Sequence, residues 1–251
     1  MQSIYTAGLG LKSQQARLDN IAANIANANT AGYKATRVDF KDALYTKMDS
    51  PVADSEGSNL LTGSGVLLNA STTDFSDGAL NSTGNVLDFA IEGDGFFTVQ
   101  NSGGEPLYTR DGSFSVSPEG DENFLVTAQG YYVTDSEGKP IALPDDLAEL
   151  SVSGSGVLST ADGEFAALGI AEFKNPEGLL AVGDTCYTVS ETSGEPAAAA
   201  EPTVVQGSLE NSNVSLAQEM TLLIRSQRAY SLASRALQTA DDMEGLANNM
   251  R

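Results

Sequence analysis

Histidine and tryptophan are absent from this 251-residue chain, cysteine occurs once, and 13 basic residues face 34 acidic ones. Without histidine there is no Ser-His-Asp or Cys-His nucleophile pair, no H-E-x-x-H zinc site and no imidazole general base. The lone Cys186 excludes an intrachain disulfide and any zinc site built from several cysteines. Neither a G-x-x-x-x-G-K-[ST] phosphate loop nor a G-x-G-x-x-G fingerprint occurs, and "EGDGFF" lies between strand-like runs rather than at a helix start. The oxygen-rich "GDG", "RDG" and "EGDE" miss the EF-hand spacing, so turns explain them. A carboxylate pair could serve a glycosidase, but so many acids make chance pairs unavoidable, and tryptophan to stack a sugar is missing. The expectation is a protein with no catalytic residue, metal or cofactor.

A net charge of −21 disfavours nucleic acid and anionic membrane as partners. No run of about 18 apolar residues occurs, so membrane insertion is not expected. Lys12 and Arg17 fall in a polar, periodic segment without an apolar h-region, so any export is expected to use no cleavable signal. The charge is also divided. Residues 1–48 carry six Lys/Arg and three Asp/Glu, and residues 203–251 carry four and five, which leaves three and twenty-six for the middle. The acid belongs to the middle, and the nearly neutral ends are free to pack together.

What those ends contain is helical periodicity. Ile4, Ala7, Leu11, Gln14, Leu18, Ile21, Ile25 and Ala28 alternate spacings of three and four, the pattern of a coiled-coil seam with one polar member. Leu216, Met220, Leu223, Gln227, Tyr230, Ala233, Leu237, Ala240, Met243, Ala247 and Met250 repeat it at the other end. Ser215 to Gln218 fits a capping box, and Asn29 with Gly32 supplies a stop for the first helix. Helices over 4–29 and 215–248 would be about 40 Å and about 50 Å long. Each seam is narrow and rich in alanine, so neither helix alone offsets its ordering entropy, and the two are expected to pair. Gln14 and Gln227 are candidates for setting the register.

A second stripe, Arg17, Asn20, Asn24 and Asn27, runs about 100° round the first helix from the seam. Asparagine is a poor helix former, and Lys or Glu would serve a merely solvated face better. Short two-way amides suit a close approach to other backbone, and this stripe is expected to meet neighbouring subunits.

The middle reads differently. Short alternating runs such as "FFTVQ", "PLYTR", "SFSVS", "NFLVTA" and "GYYVT" are separated by "NSGGEP", "TRDG", "SPEGDE" and "DSEGKP". The fold class expected is α+β: terminal helices pairing as a coiled coil, and a central antiparallel all-β domain. The segments are 1–33 (first helix), 34–79 (irregular excursion), 80–206 (β domain) and 207–251 (second helix). "GEPAAAAEP" looks like a connector within the β domain, and "DSPVADSEGSNLLTGSG" has linker composition.

"LDNIAANIANANTAGYKA", "GNVLDFAIEGDGFFTVQ", "YTRDGSFSV", "LVTAQGYYV" and "GSLENSNVSLAQEMTLLIRSQRAYSLASRALQTADDM" together resemble the rod and hook family of the bacterial flagellar basal body. They cover more than half the chain in the family's order. The length and "RVDFKDALYTKM" look like the distal-rod type, with a proximal-rod or hook-type axial protein as the alternative. The resemblance implies a structural subunit that leaves the cell through the flagellar type III export apparatus. It implies helical polymerisation with itself into a hollow, torque-transmitting tube, and other rod and hook proteins and surrounding ring proteins as partners. The location implied is the basal body, outside the cytoplasm. From another class, a secreted β-domain adhesin or glycan-active enzyme with coiled-coil stalks remains to be weighed.

Overall fold

The computed structural model describes residues 2–47, 61–120, 122–144, 150–160, 163–199 and 202–250. Two long helices and a central antiparallel β region make the chain α+β, as the patterning predicts. It falls into two compact units.

The first unit takes residues 1–26, 36–72 and 215–251. Helix α1 spans Gln2–Ala26 and α2 spans Leu216–Asn249, 25 and 34 residues free of proline. Within this unit α1 packs along α2 and also along the strand Thr36–Asp42. The "TRVDFKD" stretch resolves as that strand, paired with Val66–Thr73, and Thr46–Lys47 pairs antiparallel with Leu61–Thr62. The excursion expected to be irregular therefore holds two two-stranded sheets among its described residues. The linker-like stretch through residue 60 lies outside the described residues.

Two helix-end expectations change. α1 stops at Ala26, before both Asn29 and Gly32. Two turns follow, with Thr30 N–H donating to Asn27 O at 3.1 Å and Tyr33 N–H to Thr30 O at 3.4 Å. Ser215 does occupy the position before α2 in extended conformation, yet its side chain makes no capping hydrogen bond. The capping box expected there is absent as a side-chain contact; the Ser215 carbonyl instead accepts from Glu219 N–H at 2.9 Å.

The second unit takes residues 27–35 and 73–214. Its main sheet runs Ala142–Leu143, Glu122–Thr127, Tyr132–Val133, Phe96–Gln100, Pro106–Thr109, Cys186–Thr188 and Leu180–Gly183, antiparallel at every pairing. Side chains alternate faces along a strand, and here both faces of the central strands are buried. Phe97, Val99, Leu107 and Cys186 join a core with Phe89, Leu125, Val133 and Ile170. Phe96, Tyr108 and Tyr187, their immediate neighbours, join a second cluster with Phe173 and Leu179. Turn chemistry is local: Asp135 Oδ1 accepts from Glu137 N–H at 2.8 Å and Lys139 N–H at 2.9 Å, closing "DSEGKP". The "GEPAAAAEP" connector contributes a two-residue strand, Ala197–Ala198, paired with Ile170–Glu172. Glutamates such as Glu92, Glu105, Glu119, Glu137 and Glu172 are exposed, which is how so acidic a unit avoids burying charge. Glu210 is an exception.

Candidate assembly site

On α1 burial is shared between the expected seam and the asparagine side, where Ser13 and Asn24 are buried. Ile21 is fully buried, and Ile4, Leu11, Gln14, Leu18 and Ile25 are half-buried. On α2 the buried stripe differs from the expected one. Leu223 and Leu237 are half-buried, but Leu216, Met220, Gln227 and Tyr230 stand exposed. The chain itself covers Glu219, Leu222, Leu223, Ser226, Ala229, Ala233, Leu237 and Ala240. The physical reason is that the first turns of α2 carry apolar residues on several sides, so period alone does not choose the face. Ser226 and the alanines admit closer backbone approach than Met220 or Tyr230 would. Gln14 and Gln227 do not form a register pair: Gln227 is exposed, and the Gln14 amide oxygen is buried without a hydrogen-bond partner.

The asparagine stripe has a partner inside the same unit. Asn24, 2% exposed, accepts from Thr36 N–H through Oδ1 at 3.0 Å and donates from Nδ2 to Thr36 O at 2.9 Å. Its amide thus pairs with one residue's backbone as a neighbouring strand would. Asn20 Nδ2 donates to Thr36 Oγ1 at 2.7 Å, and the exposed Arg17 guanidinium lies 6.0 Å from the Phe40 ring centroid. Asn27 lies beyond α1, its side-chain oxygen accepting from Thr30 Oγ1 at 3.3 Å. The expectation that Asn24 meets neighbouring subunits is corrected here: the chain's own strand covers it. Asn24 Nδ2 also reaches Glu219 Oε1 at 3.4 Å, and Glu219 Oε2 is buried without a partner. Glu219 sits in the first turn of α2, where the helix dipole favours a carboxylate.

The β unit holds a second polar centre, which the sequence reading passed over apart from the "AGYK" motif. Lys34 and Glu210 are each 1% exposed and paired at 2.6 Å. Glu210 Oε1 also accepts from Gly78 N–H at 2.7 Å, and Oε2 accepts from Arg110 Nη1 at 3.4 Å. Arg110, 2% exposed, donates from Nη2 to Gly93 O at 2.8 Å, lies 3.6 Å from Asp77 and faces the Phe96 ring at 5.2 Å. Lys34 Nζ also donates to Ser76 O at 2.8 Å. Burial pulls the Lys34 ammonium below its ordinary pKa, opposed by Glu210. Gly32 enters this centre with φ +67°, its N–H donating to Glu210 O at 2.9 Å. A Cβ there would collide with the Arg110–Asp111 backbone, so glycine is required by approach as well as by conformation. Lys34, Glu210 and Arg110 thus form a paired set of buried charges, in which the Arg110 Nε is left without a hydrogen-bond partner.

These elements define the class as an α+β structural protein: a long helix with uncovered apolar residues, and a β unit whose buried charges are spent on one another. Three family models match in chain order: "Flagella basal body rod protein" over residues 4–34, "Flagellar hook protein FlgE/F/G D1 domain" over 90–160, and "Flagellar basal body rod FlgEFG protein C-terminal" over 205–250. The "Flagellar basal-body rod protein FlgG" of Borreliella burgdorferi is 35% identical across 100% of this chain and 99% of its own. The protein of the same name in Agrobacterium fabrum is 36% identical across 99% and 98%. The "Flagellar hook-basal body complex protein FlhP" of Bacillus subtilis is 29% identical across 100% of both. The chain belongs to the flagellar basal-body rod family and is a structural subunit of the flagellar rod.

Proposed function

We propose that this chain is the distal-type rod subunit, which stacks helically with copies of itself into a hollow shaft that carries torque from motor to hook. The similarity to relatives named FlgG across the whole chain supports the distal type over the hook type. One structural observation carries the assembly reading. Leu216, Met220, Ile224, Leu232, Met243, Leu246 and Met250 are exposed along α2, an apolar face that a lone chain leaves in water. In a shaft, that face packs on neighbouring copies. The helices pair as a coiled coil forming an inner helical domain (1–33 and 207–251). The acidic β domain (80–206) adds outer contacts that stiffen the tube, and residues 34–79 connect the two. No described helix is long and apolar enough to cross a membrane. Transit through the flagellar type III apparatus, without a cleaved signal, and contacts with other rod, hook and ring proteins complete the reading.

Electron microscopy of the purified protein, concentrated from dilute solution, tests it. Open-ended tubes with a constant helical rotation are expected; a sedimentation profile that closes at a trimer, with no tubes, would overturn it.

A further inference from the structure

We propose that Lys34, Glu210 and Arg110 are specificity-determining residues. They form a buried clasp that ties the segment leaving α1 to the segment entering α2 of the same copy, committing α1 to its own α2 rather than to a neighbour's. The presence of neighbouring copies rests on the rod reading; the clasp itself does not.

Lys34 and Glu210 meet across 176 positions of sequence. Around the ion pair, three segments are stitched together by backbone bonds. Gly32 N–H donates to Glu210 O at 2.9 Å, Asp74 N–H to Ala35 O at 2.8 Å, and Asn211 N–H to Ala79 O at 2.9 Å. Ala35 N–H donates to Asn213 Oδ1 at 2.7 Å, and Asn213 Nδ2 donates to Asp74 O at 2.8 Å. In sequence, the clasp begins a few residues after α1 and ends a few before α2.

The helices themselves supply little of this choice. The stripe that α2 buries is alanine and serine for much of its length, and every copy presents the same one. Tethering puts the two helices at an effective concentration on the order of millimolar. Neighbours in a packed shaft reach the same range, so tethering alone does not discriminate. The ions do, because a copy whose Lys34 is drawn away leaves a carboxylate buried without its closest partner. Breaking a buried pair in this way is far more costly than exchanging one apolar contact for another. Lysine here therefore contributes specificity where a well-packed apolar residue would contribute stability alone.

The test uses full-length protein carrying Asn24→Cys and Glu219→Cys, positions whose side chains touch across the helix pair. Isotopically heavy and light copies, with the native thiol removed by Cys186→Ala, are mixed, concentrated and oxidised so that the two introduced thiols, in contact across the helix pair, join directly as a disulfide. Linked peptides are expected to share one isotope in this parent, and adding Lys34→Met is expected to raise mixed-isotope links toward the random proportion. Amide exchange at Gly32, Ala35, Asp74, Gly78 and Asn211 is expected to accelerate on the order of a hundredfold, with Val99 and Leu107 still protected. An unchanged mixed fraction, or unchanged protection at the clasp, overturns the proposal. Should Lys34→Met lose the core amides too, both readouts are taken on Glu210→Gln, which keeps the side-chain shape. Core loss in that variant as well counts against the proposal, since the ions would then be general supports of the β unit. Should this parent fail to polymerise where the unsubstituted chain does so, the exchange arm decides the proposal; an unsubstituted chain that never polymerises sinks the rod reading and leaves the exchange arm readable.

Discussion

Single residues in this chain are decided by what they approach. Gly32 was legible as a glycine of special conformation, but its neighbour was not: the backbone it lies against belongs to Arg110 and Asp111. Lys34 is among the most buried side chains, because Glu210 and Ser76 O satisfy its ammonium. Cys186 follows the same logic in the apolar direction. Burial pushes its thiol up from 9.0 to about 11 and also raises the Tyr187 phenol. A raised folded pKa means the related stability is complete below pH 9 and lost as pH climbs through about 11. The melting temperature of the β unit is expected to fall across that window, and Cys186→Ala to reduce the slope; an unchanged slope in calorimetry would argue otherwise.

At the scale of elements, the asparagines of α1 exchange helix propensity for a specific grip on the strand Thr36–Asp42. Asn24→Leu removes both bonds to Thr36 and leaves that half-buried residue's N–H and C=O without this partner, at a cost of about 1 kcal/mol. Faster exchange of the Thr36 amide and weaker tube formation are expected, with the β unit unaltered. Normal tubes from this variant would deny the grip any role in assembly. For α2, Met220→Lys with Ile224→Lys alters residues the single chain leaves exposed. Circular dichroism of the chain is expected to stay the same while polymerisation fails, and polymerisation at the parental concentration would remove this face from the assembly contacts. Helix existence, length and approximate ends were readable from periodicity and proline-free composition. The buried face of α2 was not, since five large apolar residues within its first nine positions satisfy more than one stripe.

Over the whole molecule, two units of different character share one chain. The helical unit buries a narrow stripe and leaves apolar side chains in solvent, whereas the β unit has two aromatic cores and a buried ion cluster. Stability is expected to divide accordingly. In dilute monomer, hydrogen exchange is expected to be fast over roughly residues 2–30 and 215–250, with protected amides at 96–100 and 106–109. Fully protected helices under those conditions would contradict ordering upon assembly.

The sequence by itself determined the α+β class, the exclusion of histidine chemistry, the existence and approximate length of both helices and the strand-turn rhythm of the β region. Each follows from local causes: period, turn residues, composition. Tertiary structure alone decided which face α2 buries, that Asn24 grips Thr36, and that Lys34, Arg110 and Glu210 meet. Those contacts join residues up to 195 positions apart, and no local period encodes a partner at that distance.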